Sequence, residues 1–220
     1  MENVLESPFE VAERLRGGGL TGCVVERVTL SQQELGSPTL DQVRFVQTTL
    51  QEVGLRGNTA RDVNFTGCQL RGAQLGRSLW RLVNLVRSEA LEIGFEGALL
   101  DRVGFYDTRM TNARFTRARM HDVTFQGADL MGADFSETVL TRCRFEDPKM
   151  GAAALNRANF RRAFILDTDF SDAVLYGADF SGAVLVRCNL KGAVLGAALT
   201  LGARFVGCEM DTDFREGLSA

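Results

Sequence analysis

The sequence predicts an all-β fold, a right-handed four-sided parallel β-helix (a solenoid) of about ten coils with a short helix capping its N-terminus. Three observations predict it. Every fifth residue from Leu20 to Met210 is almost always large and apolar. The residue two places earlier is almost always small. The three remaining positions of each unit carry nearly all of the charge and the glycine.

The large slot has 39 positions, occupied by 17 Leu, 12 Phe, 4 Met and one each of Val, Ile and Trp, with Ala60, Ala90 and Thr200 as exceptions. Twelve of the chain's 15 Phe therefore occupy one slot in five. The small slot, from Cys23 to Cys208, holds 15 Ala, 7 Val, 5 Cys, 4 Thr and 2 Ser among 38 positions and no charged residue. This is neither the 3.6-residue period of a helix nor the alternation of a simple strand. It fits a coil with flat sides five residues long, in which the large side chain points at the axis and the small one fills the space beside it. Four such sides close a square of 20 residues, and successive coils stack through parallel hydrogen bonds at about 4.8 Å. Nearly ten coils give a rod on the order of 45 Å long. Each coil touches only its neighbours.

The organisation follows the period: residues 1–17 as a capping helix, 18–212 as the β-helix and 213–220 as a C-terminal tail. Ser7-Pro8-Phe9-Glu10 reads as an N-cap serine, a proline in the first turn and a glutamate three residues after the cap. A helix from about 8 to 16 follows, ended by Gly17-Gly18-Gly19. Phe9, Ala12 and Leu15, or nearby apolar residues, are expected to lie over the first coil. Counted in twenties, Val25, Phe45, Phe65, Leu85, Phe105, Phe125, Phe145, Ile165, Leu185 and Phe205 form one stacked ladder. No insertion breaks the register, so no long protruding loop is expected. The weakest places are Gly36-Ser37-Pro38 and Asp147-Pro148, where a proline takes the small slot and removes a ladder N–H.

Ala128-Asp129-Leu130, Ala133-Asp134-Phe135, Ala158-Asn159-Phe160 and Ala178-Asp179-Phe180 repeat the pattern A-(D/N)-L-x-x. In this the chain resembles the pentapeptide-repeat family over roughly residues 18 to 212. It is similar in length and coil number to the Qnr/MfpA-type members. Those members look like B-form DNA, occupy the DNA site of the type II topoisomerases DNA gyrase and topoisomerase IV, and protect against fluoroquinolones or a self-made gyrase poison. The resemblance implies a non-catalytic DNA mimic with such a topoisomerase as partner. The alternative is a scaffold or regulatory solenoid that binds an unrelated protein.

The charge pattern bears on that choice. Residues 121–220 carry 14 acidic and 10 basic residues, against 14 and 15 in residues 1–120. One side, counted in twenties, gathers Glu52, Glu89, Glu92, Asp129, Asp169, Asp172, Glu209 and Asp211 against Arg71, Arg109, Lys149 and Lys191. Asp129, Asp134, Asp169, Asp172 and Asp179 are the candidate topoisomerase-facing acids. The family's Asp/Asn slot equally explains Asp129, Asp134 and Asp179 as structural residues.

Toward the C-terminus the outward slots become apolar, with ten large apolar residues among the 30 outward positions between 161 and 209. Contiguous exposed apolar surface usually marks an interface. Phe164, Leu166, Val184, Val186, Leu199, Leu201, Val206 and Phe214 are the candidate surface of a two-fold homodimer through the C-terminal coils. A tail folded back over that surface is the alternative.

No catalytic or metal constellation is legible. His121 is the sole histidine, five cysteines all occupy the small slot, and no phosphate-binding G-x-x-x-x-G-K-[ST] occurs. The cysteines read as buried structural thiols and His121 as a surface residue. A convex rod with a filled core offers no substrate cleft. No enzyme activity, cofactor or metal is expected. A net charge of -3 predicts no direct nucleic-acid binding. The absence of an 18-residue apolar run or a signal-like start predicts no membrane partner and a cytoplasmic address.

Overall fold

The computed structural model describes residues 3–146, 155 and 157–211. They form a four-sided parallel solenoid. In its first half the coils are marked by the eight-residue strands β2 (Gly19–Glu26), β3 (Thr39–Val46), β4 (Thr59–Thr66), β5 (Leu79–Val86) and β6 (Leu99–Tyr106), each turning one corner. Beyond them the same two sides are three-residue strands. β7 (Arg119–His121), β9 (Val139–Thr141), β11 (Phe164–Leu166), β12 (Val184–Val186) and β13 (Arg204–Val206) continue the first side. β8 (Thr124–Gln126) and β10 (Arg144–Glu146) continue the second. The third and fourth sides are held by single parallel bridges such as Thr49↔Gln69 and Gln74↔Gly94.

The large slot makes the core. Leu30, Phe45, Phe65, Phe95, Phe105, Phe115, Phe125, Phe135, Phe160, Phe170 and Phe180 are fully buried, as is Trp80. The phenylalanines form two ladders on opposite walls. On the second side Phe105, Phe125, Phe145 and Phe170 stack in sequence at 4.8–4.9 Å, within 9° of parallel. On the fourth, Phe95, Phe115, Phe135, Phe160 and Phe180 stack at 4.8–5.4 Å. Across the core the two ladders meet edge to face, as between Phe115 and Phe125 (5.9 Å, 83°). Both arrangements suit the quadrupole of the ring. The exception at Ala60 has a partner: Trp80, one coil on, stacks on Phe65 at 5.7 Å and points its indole N–H at Asn58 Oδ1 (3.4 Å).

Closing a square every 20 residues requires a sharp corner every five. The residue two places after each large one carries it, with φ near +55° at positions such as Gln42, Asp62, Arg102 and Asp122. This left-handed conformation favours glycine, which takes the same corner slot at positions such as Gly57, Gly67 and Gly97. Gly19 has a different reason: a Cβ there would lie 1.8 Å from the Thr39 carbonyl oxygen.

The register differs from the expected one at a single place. Coils are offset by 20 residues up to Thr124↔Arg144, but Asp134 pairs with Asn159, Arg144 with Asp169 and Val139 with Phe164. From Phe164↔Val184 onward the offset is 20 again. The coil beginning at Leu140 therefore holds one additional pentapeptide, between Phe145 on the second side and Leu155 on the third. This corrects the expectation of an uninterrupted register. A whole pentapeptide preserves the five-residue phase, so the period cannot reveal it. It also corrects the ladder counted in twenties: Phe145 stacks on Phe170 (4.8 Å), while Ile165 pairs with Leu140 on the first side. Pro148, one of the two expected weak points, lies outside the described residues.

At the N-terminus, α1 (Pro8–Arg16) starts as expected, with the Glu10 amide donating to Ser7 Oγ at 3.3 Å. Val11, Ala12 and Leu15 are buried against the first coil, whereas Phe9 is 78% exposed, a second correction. The turn of the helix after its proline puts 11, 12 and 15 on one face and 9 on the other. A strand that the sequence did not suggest, β1 (Asn3–Leu5), pairs with Cys23–Val25 and covers the exposed edge of the second side.

Truncating a ring in the ladders removes several aromatic contacts and leaves a cavity. Phe125→Ala is expected to lower the unfolding free energy by about 3–5 kcal/mol. Phe9→Ala is expected to change it by no more than about 0.5 kcal/mol. Urea denaturation of the two variants checks the contrast, and equal losses would contradict it.

Candidate functional site

The outward surface has three features that could engage a partner: an apolar groove on the first side, the candidate acids, and the C-terminal coils. The groove runs along the rod between two rails of outward side chains. One rail is Thr59, Leu79, Leu99, Arg119 and Val139; the other is Arg61, Arg81, Asp101, His121 and Thr141. Its floor is the backbone of Ala60, Trp80, Leu100 and Met120, and its volume is about 510 Å³. Leu79 and Leu99 are 49% and 44% exposed, an apolar strip that the folding of the chain alone does not require. The sequence reading, which weighed only the C-terminal half, missed it.

The five candidate acids do not come together. Asp129 is on the third side, Asp134 and Asp179 are on the fourth, Asp169 is on the second, and Asp172 sits at the next corner. The extra pentapeptide moves every later residue by one side, which separates Asp169 and Asp172 from Asp129 but brings Asp179 into the column of Asp134. Asp169 and Glu209, grouped with Asp129 when counting in twenties, belong instead to the column of Arg144 and Asn189. Four of the acids also have local work. Asp129 Oδ1 accepts from the Met131 amide (3.1 Å) and Asp134 Oδ1 from that of Ser136 (2.9 Å). Asp169 and Asp179 accept from the amides of Ser171 (2.9 Å) and Ser181 (2.8 Å). Each carboxylate thus caps a corner, the local turn chemistry for which Asp is favoured. Asp179 also pairs with Arg161 at 2.9 Å.

The most ordered charge lies at the corner between the first and second sides. Arg102, Asp122, Arg142, Asp167 and Arg187 follow one another there, one per coil and alternating in sign. Arg142 forks onto Asp122, with Nε 2.7 Å from Oδ1, and Arg187 forks onto Asp167 at 2.7 and 2.9 Å. The hydrogen bond from Arg142 holds the Asp122 carboxyl below its ordinary range, and Arg187 does the same for Asp167. His121 touches this ladder through Arg142 (2.8 Å). Such a column is close to neutral and offers a partner no one-signed field.

The C-terminal candidates divide into two groups. Phe164, Leu166, Val184, Val186 and Val206 are brought onto the first side, where Phe164 (42%) and Val206 (47%) are exposed and the others half-buried. They extend the same wall that carries the groove. Leu199 (56%) and Leu201 (86%) lie on the fourth side near the end, and Phe214 falls outside the described residues. In the last coil Leu195, Phe205 and Met210 point inward but remain only partly buried.

Four of the five thiols are buried and Cys208 is half-exposed. Burial pushes Cys68 up to about 11 and Cys143 up to about 12, the behaviour of inert core thiols. Among the described residues no three His, Cys, Asp or Glu side chains come together as metal ligands would, and no helix is long and apolar enough to cross a membrane.

Comparison with known proteins agrees with this geometry. A family model described as "Pentapeptide repeat region" matches residues 118–199. Two trypsin-treated forms of QnrB1, a plasmid-mediated fluoroquinolone resistance protein, share the fold. At 18% identity they align over 89% and 90% of this chain and 97% and 98% of theirs, with TM-scores of 0.51 and 0.52. HetL, a pentapeptide-repeat protein involved in heterocyst differentiation regulation in the cyanobacterium Nostoc sp., is 20% identical over 91% of this chain and 94% of its own, with a TM-score of 0.34. No curated protein matches the chain.

Proposed function

Because the chain belongs to the pentapeptide-repeat family, we propose that it is a non-catalytic binding rod whose partner is a type II topoisomerase, DNA gyrase or topoisomerase IV. In this reading it enters the DNA site of that enzyme as a mimic of the duplex and confers resistance to a poison such as a fluoroquinolone. One observation carries the proposal. The described surface is a long, nearly continuous rod, and it shares that architecture over nine-tenths of its length with a fluoroquinolone resistance protein. About ten coils at the strand spacing give roughly 45 Å per chain, and two chains joined end to end roughly 90 Å.

The pairing would use the C-terminal coils, where Leu199, Leu201 and Val206 are exposed beside the partly covered Leu195, Phe205 and Met210. An apolar end of this kind is stabilised by a second copy related by a two-fold axis. The more acidic half of each chain then meets at the centre of the rod, with 14 acidic and 10 basic residues in positions 121–220. Asp134, Asp179, Asp169, Asp172 and Asp129 would present carboxylates around it rather than along one wall.

A second reading, a scaffold for an unrelated protein partner, is favoured by the paired charges between Arg102 and Arg187 and by the apolar groove beside Leu79 and Leu99. A phosphate mimic would be more one-sided in charge, since phosphate contacts dominate DNA affinity.

Titrating the protein into a gyrase supercoiling reaction separates the two. The topoisomerase reading expects inhibition of supercoiling, or reduced fluoroquinolone-stabilised cleavage, at low micromolar protein; no effect at tens of micromolar contradicts it and leaves the scaffold. The pairing has its own test. Light scattering at micromolar concentration is expected to give twice the 24.1 kDa chain mass, and Leu201→Glu to halve it. A monomeric unmodified protein overturns the dimer.

A further inference from the structure

Cys188 and Cys208 occupy the small slot of the second side in consecutive coils, one directly above the other. The Glu209 amide donates to the Cys188 carbonyl at 2.9 Å, and Asn189 pairs with Glu209. Their α-carbons are thus about one strand spacing, ~4.8 Å, apart, inside the 4.4–6.8 Å range over which a disulfide forms. Both thiols are anchored by backbone: Cys188 Sγ lies 3.6 Å from the Ile165 carbonyl oxygen, and Cys208 Sγ lies 3.5 Å from that of Leu185. No other described cysteine has this partner. Cys23 is flanked by Asn3 and Val43, Cys68 by Thr48 and Ser88, and Cys143 by Val123 and Thr168.

The two sulfurs are unequal in a useful way. Cys188 is 1% exposed, while Cys208, in the last described coil, is half-exposed. The closeness of the two thiols favours ionisation of the more exposed Cys208, lowering it, over the buried Cys188, which is raised. The accessible thiol is therefore also the better nucleophile.

We propose that Cys188 and Cys208 are a redox-active pair that a peroxide converts to a disulfide, tying the last two coils together. The Cys208 thiolate attacks the outer oxygen of hydrogen peroxide, breaking the O–O bond and forming a sulfenic acid, with hydroxide as leaving group. Cys188 then attacks the Cys208 sulfur, its proton leaving with the hydroxyl as water. In sum two thiols and one peroxide give one disulfide and two waters. Closing the bond draws the last coil toward the one before it. The last coil is the one able to yield, because its inward residues Leu195, Phe205 and Met210 are only partly packed.

Full-length protein treated with hydrogen peroxide and then denatured is expected to show three free thiols instead of five. Trypsin should release the peptide 188–191 joined to 205–215, and dithiothreitol should restore five thiols. Cys208→Ala, which places the commonest small-slot residue there, is expected to keep its remaining four. Cys143→Ala is expected to lose two of its four, as a control for folding and reactivity. Five thiols surviving peroxide, a disulfide between chains, or loss of the reaction in Cys143→Ala would overturn the proposal.

Discussion

Parallel hydrogen bonding between coils is the constraint from which the rest of the molecule follows. An amide such as that of Leu70 donates to the carbonyl of Glu89 one coil on, and Gln69 donates back to Thr48. The backbone of each coil is therefore satisfied only by its neighbours, and every side must repeat at one height and one inward direction. The inward direction then admits one large and one small residue per side. Stacked rings are the densest way to fill the large slot, hence the two phenylalanine ladders and their edge-to-face seam. The corner must turn within two residues, hence the run of left-handed residues. Function is left to what remains, the outward side chains.

Much of this was legible in the sequence because the constraint acts on every unit. The five-residue phase, the four sides, the N-terminal helix with its Ser7 cap and the filled core all follow from slots that hold the same kind of residue throughout. What escaped were features that leave the phase untouched. An added pentapeptide after Phe145 keeps the five-residue phase, yet it moves Asp169, Asp172 and Asp179 round by one side. β1 escaped because three residues, Asn3-Val4-Leu5, are too few for a period. Phe9 was misplaced because its apolar character suggested burial, while Val11 takes the position over the first coil. The groove at Leu79 and Leu99 and the Cys188–Cys208 pair escaped for another reason: both are contacts between coils in slots that were read by residue type and not stacked in twenties.

The surface that results is not uniformly acidic. Carboxylates are spent on corner turns and on arginines of the adjacent coil, so the wall between the first and second sides alternates in sign. Apolar surface is concentrated on the first side, from Leu79 to Val206, and at the C-terminal end. In either proposed role, binding would rest on shape, length and apolar contact at least as much as on net charge.

The central claim, that inter-coil register fixes both the core and the distribution of surface charge, is tested most directly by ring-to-ring nuclear Overhauser effects in specifically labelled protein. Cross-peaks are expected between Phe135 and Phe160 (5.0 Å) and between Phe145 and Phe170 (4.8 Å). Cross-peaks from the Phe145 ring to the Ile165 side chain in their place would restore an uninterrupted twenty-residue register and contradict it.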